Sequence, residues 1–284
     1  MHLLGWIILF TAIGGLLSAL AASLFLVVPD RVRTRVLPHL VSFATGALLS
    51  AALLGLLPHA IETAGVSQTH EIGLTLLAGL LLFFVLEKMV LWRHCHADAC
   101  EVHVSPEPHV HALGHGHNHG HLHDHGGNHA HDQRRDRASA TLILIGDGFH
   151  NVLDGVLIAA AFMTDVHLGI VTAMAVCAHE IPQEVGDLAI LLNGGMGRLR
   201  ALTLNLLTSV TSVLGGVAAY FAMAQVQEVL PYVIAVAASS FLYIAVADLI
   251  PGLHRKVDPG SGAWQLVYIV LGVAVIYVSH SLAH

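Results

Sequence analysis

The amino-acid sequence predicts an all-α integral membrane protein with eight transmembrane helices in a 3+2+3 arrangement. In this arrangement, inverted-repeat triplets flank a central helix pair, and both termini lie outside. The first observation is composition: of 284 residues, 55% are hydrophobic and only 11% are charged, whereas soluble domains carry about a quarter charged residues. The second is a series of eight apolar segments, each near the roughly 20 residues that span a bilayer as a helix. The third is a one-sided distribution of basic residues.

The apolar segments and the basic residues together predict the orientation. The segments are 3–28, 39–60, 71–93, 138–163, 168–192, 200–224, 231–250 and 264–283. If the N-terminus lies outside, all 12 Lys and Arg residues fall in inner loops or at the inner ends of the neighbouring spans. Cytoplasmic loops are enriched in Lys and Arg, so this distribution favours eight spans and places both termini outside.

Two similar span endings predict the inverted repeat. The second span ends in GLLPHA, with Pro58 and His59, and the seventh ends in DLIPGLH, with Pro251 and His254. These spans are the middle helices of the first and last triplets, and they cross the membrane in opposite directions. Such inverted triplets are typical of secondary transporter folds.

We expect one transmembrane domain over residues 1–284, interrupted by a histidine-rich cytoplasmic loop at 94–137. This loop holds 13 of the 23 histidines, including the tract HGHNHGHLHDH at 115–125. Nothing in it can form an apolar core, so it is predicted to be disordered. Neutral imidazoles bind Zn²⁺, Cu²⁺ or Ni²⁺, which favours a role in metal sensing, buffering or delivery over that of a polar linker.

The fourth and fifth spans carry rows of metal-type ligands in GDGFHNVLDG and CAHEIPQEVGD. Residues three, four and seven apart share a helix face, so two such helices can build a cage of nitrogen and oxygen atoms for a divalent cation. A carboxylate at the bilayer centre costs about 2.5–3.5 kcal/mol, which makes these acids a functional-site hypothesis by default. The residues concerned are Asp147, His150, Asn151, Asp154, His179, Glu180, Gln183, Glu184 and Asp187.

These motifs resemble the ZIP (Zrt/Irt-like) family of metal-ion transporters. HNVLDG at 150–155 and HEIPQEVGD at 179–187 are similar to the signatures of that family's fourth and fifth spans. LLPHA, LEKMVLWRHCH and SFLYIAVADLIPGLH extend the similarity over nearly the whole chain. The chain most resembles the subgroup with an HExPxExGD fifth span and a histidine-rich cytoplasmic loop, but Gln183 stands where that subgroup has histidine. A neutral amide there weakens or reshapes one ligand.

The resemblance implies a bridged metal centre shared by the fourth and fifth spans. Its implied ligands are His150, Asn151, Asp154, His179, Glu180 and Gln183. Glu184 is added to this predicted metal set; with Asp147 and Asp187 it either lines the inward pathway or forms hydrogen bonds between helices. Asn205 and Ser209, one turn apart on the sixth span, either complete the site or hold helices together.

The function implied is divalent metal transport from the outer side into the cytosol, with the direction inherited from the resemblance. The expected cargo is Zn²⁺, with Fe²⁺, Mn²⁺ and Cd²⁺ as alternatives, and neither a resident cofactor nor an enzymatic activity is expected. The expected partners are metal ions and the lipid bilayer, without nucleic acid, and small-residue faces permit a homodimer. The lack of an ectodomain or targeting peptide favours a multi-pass protein of a bacterial plasma (inner) membrane.

Two other functions share part of the pattern. A cation diffusion facilitator-like zinc exporter is suggested by His150 and Asp154, which form HxxxD beside a histidine-rich loop, although that family is expected to have six spans and a soluble C-terminal domain. An intramembrane zinc metalloprotease is suggested by HEIPQ, one residue from HExxH, and by the LDG of NVLDG. In that reading Gln183 replaces the second histidine and LDG stands on the wrong side of the HE motif.

Overall fold

The computed structural model describes residues 3–95, 128–193, 195–254 and 259–281, and within these ranges all regular secondary structure is helical. The α-helices are α1 Leu3–Val27, α2 Asp30–Ser50, α3 Leu57–Ala64, α4 Thr69–Cys95, α5 Asn128–Thr164, α6 Val166–Asn193, α7 Arg198–Met223, α8 Leu230–Tyr243, α9 Ile250–His254 and α10 Pro259–Ser281.

Two short π-helical segments join pairs of these helices end to end. Ala51–Leu56 joins α2 to α3 as the second span, and Ile244–Leu249 joins α8 to α9 as the seventh span. Each π segment ends two residues before a proline, Pro58 or Pro251, which cannot donate the α-helical hydrogen bond. Pro182 also lacks this donor, yet α6 continues through it without interruption.

Eight long helical spans result, and in the described part of the chain seven of them are long and apolar enough to cross a bilayer. The remaining one, α6, is 28 residues long, which is about 42 Å of helix. It contains His179, Glu180, Gln183 and other polar groups that reduce its mean hydropathy. The eight predicted helices are therefore present, while the criterion of apolar composition alone identifies seven.

The helices pack in two groups. In one, α1, α5, α6 and α7 contact one another; in the other, α2 packs on α10 and α4 packs on α8. Both helices with the ligand-type motifs belong to the first group, so the motifs face each other within it.

Small residues bring α5 and α7 into backbone contact. A Cβ placed on Gly155 of α5 would collide with the Ser212 carbonyl of α7, and one on Gly215 of α7 would collide with the Val152 carbonyl of α5. Such close approach is the usual role of glycine between membrane helices. Gly186 has nothing within 4 Å of its Cβ position, so it makes no comparable contact.

The predicted loop at 94–137 is shorter in the structure. The helix α4 extends to Cys95 and α5 begins at Asn128, so residues 128–137 are helical. The tract 115–125 and the rest of 96–127 lie outside the described residues, and the loop's disorder and cytoplasmic location stay predictions.

Candidate metal centre

Four ligand-type side chains converge where α5 and α6 pack together. His150 and Asp154 lie one turn apart on α5, and His179 and Glu180 are consecutive on α6. One ligand atom from each of the four lies within 4.8 Å of the others. We call these residues the four-ligand centre.

The distances between these atoms fit a small cation. His150 Nε2 is 3.2 Å from His179 Nε2 and 3.5 Å from Glu180 Oε1. Asp154 Oδ2 is 3.3 Å from His179 Nε2 and 3.7 Å from His150 Nε2, and His179 Nε2 is 3.9 Å from Glu180 Oε1. A tetrahedral Zn²⁺ site with bonds of about 2.1 Å has ligand-to-ligand edges of roughly 3.4 Å. The measured separations are close to that value.

The backbone of α6 orients one of the two imidazoles. His179 Nδ1 lies 3.2 Å from the Ala175 carbonyl oxygen, one turn earlier. A carbonyl can only accept, so Nδ1 carries the proton and donates, which places the free lone pair on Nε2 inside the centre. A histidine that ligates a metal commonly uses its second nitrogen in this way. The ring edge also packs on buried Phe241 of α8.

The two carboxylates of the centre are buried without other partners. Asp154 is 1% exposed and Glu180 is 2% exposed, and none of their four oxygen atoms has a hydrogen-bond partner. No Lys or Arg in the described ranges forms an ion pair with them; the only close cationic-type groups are His150 and His179. Buried carboxylates are normally paired or bound to metal, so this arrangement suits a divalent cation held by two nitrogen and two oxygen atoms.

The other predicted ligands are placed differently. Asn151 is buried, and its Nδ2 donates to Asp147 Oδ1 at 3.0 Å. Glu184 Oε1 accepts a hydrogen bond from Ser209 Oγ of α7 at 3.2 Å. Gln183 is half-buried, and no hydrogen bond of its side chain occurs among the described residues. Metal contact by these three residues stays a prediction.

The contribution of α7 was only weakly indicated by the sequence. Thr211 Oγ1 of α7 donates to the Gly148 carbonyl of α5 at 2.8 Å, and Ser209 contacts Glu184. The available signal was a row of small polar residues at helical spacing within an apolar span: Asn205, Thr208, Ser209 and Ser212. All four are buried, so this row faces the helices that carry the ligands.

The fold and the site together define a multi-pass helical membrane protein with a buried cation-type centre. Residues 2–280 match the family model described as the ZIP zinc transporter. The match covers nearly the whole sequence, and the chain belongs to the ZIP zinc transporter family. This family consists of transporters rather than enzymes, in agreement with the prediction from the motifs.

Several curated proteins are similar over most of the chain. The zinc transporter ZIP13 of Pongo abelii is 31% identical over 252 residues, covering 84% of this chain and 66% of that protein. The human zinc transporter ZIP13 is 30% identical, covering 84% of this chain and 70% of the relative. The zinc transporter zipt-7.1 of Caenorhabditis briggsae is 28% identical, with 96% and 78% covered. The chain therefore spans about two thirds of the length of the ZIP13 relatives.

Proposed function

We propose that this protein moves a divalent metal ion, Zn²⁺ in the first place, across the membrane through the four-ligand centre. The observation that carries the proposal is the convergence of two imidazoles and two unpartnered, buried carboxylates from adjacent helices. The relatives named above are described as zinc transporters. Fe²⁺, Mn²⁺ and Cd²⁺ stay alternative cargoes, because nitrogen and oxygen ligands accept them too.

The chemistry of the centre suits reversible binding of a dehydrated ion. The two carboxylates offset the charge of a divalent cation, and the two imidazoles replace water in its coordination shell. Phe241 and the surrounding apolar side chains keep the local dielectric low, which strengthens the attraction between ion and ligands. Ligands on two different helices can separate when these helices move, which gives a route to release.

The helix contacts support the inverted repeat and the 3+2+3 order. The second span packs on α10 and the seventh packs on α4; α1 packs on α6 and α7 packs on α5. If the first three spans are matched to the last three in an inverted sense, each contact maps onto the other of its pair. The two π segments before Pro58 and Pro251 correspond in the same way. A pseudo-twofold axis of this kind is common in transporters that alternate access.

Several finer features belong to the same proposal. We infer that both termini lie outside and that the ion moves from the outer side to the cytosol, as the distribution of basic residues and the family resemblance suggest. The HEIPQEVGD motif and the histidine-rich loop favour the subgroup named above, and Gln183 adjusts one ligand position. A homodimer and a single domain with a cytoplasmic loop are part of the proposal. The bacterial plasma membrane stays a prediction, while the relatives named above are animal proteins.

Zinc uptake into proteoliposomes tests the proposal. Asp154→Ala and His179→Ala each remove one ligand from a different helix and are expected to abolish uptake. His70→Ala is a matched control, because His70 is exposed at the start of α4 and lies outside the centre. Circular dichroism and size-exclusion elution establish that each variant is folded. Zinc flux at the wild-type rate in a folded Asp154→Ala or His179→Ala variant contradicts the proposal.

The exporter and protease alternatives lose their support at this point, since the family model covers residues 2–280. Direction can be tested separately in oriented vesicles. Net efflux from the cytosolic side under an inward zinc gradient contradicts the inferred direction.

A further inference from the structure

A second group of buried polar side chains lies one helical turn away from the four-ligand centre. Asp147 precedes Asn151 by one turn on α5, and Glu184 follows Glu180 by one turn on α6. These positions lie toward the start of α5 and the end of α6, and α7 closes the group. We call the group the oxygen cluster; its members are Asp147, Asn151, Glu184, Asn205 and Ser209, which are 4%, 2%, 0%, 1% and 4% exposed.

Hydrogen bonds satisfy only half of each carboxylate in the oxygen cluster. Asn151 Nδ2 donates to Asp147 Oδ1 at 3.0 Å, and Ser209 Oγ donates to Glu184 Oε1 at 3.2 Å. The other oxygens, Asp147 Oδ2 and Glu184 Oε2, are buried without a partner. Neutral donors thus fix the orientation of both carboxylates and leave one oxygen of each free to bind something else.

An amide completes the set from α7. Both side-chain atoms of Asn205, Oδ1 and Nδ2, are buried and form no hydrogen bond, although Asn205 lies beside the Glu184 carboxyl group. Its backbone carbonyl is held by Ser209 Oγ at 3.2 Å and by Thr208 Oγ1 at 2.7 Å. A buried amide without partners is rare in proteins, which indicates that its side chain has a ligand to bind.

The charge of the oxygen cluster also requires a partner. Asp147 and Glu184 are close enough to repel each other, and no Lys or Arg within the described part of the chain forms an ion pair with either. Two like charges in a buried site are unfavourable unless a cation or a shared proton intervenes. The three free oxygens, Asp147 Oδ2, Glu184 Oε2 and Asn205 Oδ1, are of the type that hard divalent cations prefer.

We propose that the oxygen cluster is a second cation site, with carboxylate and amide oxygens as its only protein ligands. It binds Mn²⁺-type hard cations, and it binds Zn²⁺ more weakly than the four-ligand centre because it has no imidazole. Its assignment as the next station for the transported ion rests on the proposed function, whereas its capacity to bind a cation does not. Glu184 thereby belongs to this second site rather than to the first.

Binding of Mn²⁺ to the purified full chain, followed by the electron paramagnetic resonance signal of free Mn²⁺, tests the site. Glu184→Gln and Asp147→Asn remove a charge at nearly constant volume. Each is expected to weaken one Mn²⁺-binding event by about tenfold or more, as loss of a supporting group does in metal sites. Glu62→Gln, an exposed acid of α3, is the matched control and is expected to match the wild type. The histidine-rich loop is unchanged in all variants, so its contribution cancels.

The outcomes separate the two proposals. If His179→Ala retains the Mn²⁺-binding event that Glu184→Gln loses, the oxygen cluster is a site of its own. If both Glu184→Gln and Asp147→Asn bind Mn²⁺ as the wild type does, the second site is refuted, and a shared proton accounts for the two carboxylates. If His179→Ala instead transports zinc at the wild-type rate while Glu184→Gln loses Mn²⁺, the proposed function fails and the second site stands.

Discussion

Replacing Gly155 by alanine is expected to separate α5 from α7 and to destabilise the protein. The new Cβ would collide with the Ser212 carbonyl and would lie 2.8 Å from the Gly216 backbone nitrogen. Both obstacles are backbone atoms, so no side chain can turn aside and one helix must move. Overpacking of this kind costs typically 1–3 kcal/mol, and removing a glycine from a helix returns about 0.5–1 kcal/mol. The net loss is therefore on the order of 1–2 kcal/mol.

Gly186→Ala supplies the matched control for this prediction. Gly186 is also inside a helix that carries the ligands, but its Cβ position has nothing within 4 Å. Its substitution is expected to stabilise the protein by about 0.5–1 kcal/mol. Thermal unfolding in detergent, followed by tryptophan fluorescence, should show opposite shifts of the apparent Tm for the two variants. An apparent Tm for Gly155→Ala at or above the wild-type value would refute the packing argument.

Three further predictions concern features away from the centre. Burial disfavours the charge of Asp165, but hydrogen bonds from backbone N–H groups in the first turn of α6 and nearby histidines outweigh it and hold its pKa below the usual range. Asp165 therefore stabilises the fold above its unfolded pKa, and this contribution disappears as pH falls through the lower folded value. Asp165→Ala should cost about 1 kcal/mol near neutral pH and little in strong acid, as measured by unfolding at both pH values. Deleting 112–131 should preserve zinc flux and change only its rate or regulation, and complete loss of flux would contradict this. Tyr232→Phe removes a hydrogen bond of 2.9 Å to Glu71 Oε2, and unfolding should show a loss of about 1 kcal/mol or less.

The ligand pairs were predictable because helical geometry is local. A spacing of four residues places His150 and Asp154 on one face of α5 whatever the tertiary structure. The same logic put His179 and Gln183 on one stripe of α6 and left Glu180 on its flank. In the structure Glu180 joins His179 in the four-ligand centre, because the crossing of α5 and α6, which sequence spacing does not define, decides which edge of a stripe faces the partner helix.

The contribution of α7 and the places where helices loosen required the tertiary structure. Polar residues such as Ser209 and Thr211 occur on membrane helices in many roles, and only the packing of α7 shows that they face Glu184 and Gly148. Pro182 was expected to loosen α6, but π segments occur only before Pro58 and Pro251 in the described helices. A proline removes a backbone hydrogen bond in every case, and whether the helix distorts depends on its neighbours.

The most direct test of the account is the position of bound Zn²⁺ in a crystal of the full chain, located by anomalous scattering at the zinc edge. We expect a peak between α5 and α6, within about 2.0–2.2 Å of His150 Nε2, of His179 Nε2 and of an oxygen from each of Asp154 and Glu180. A crystal with zinc bound elsewhere in the protein and no peak among these four side chains would contradict the claim that they hold the transported ion.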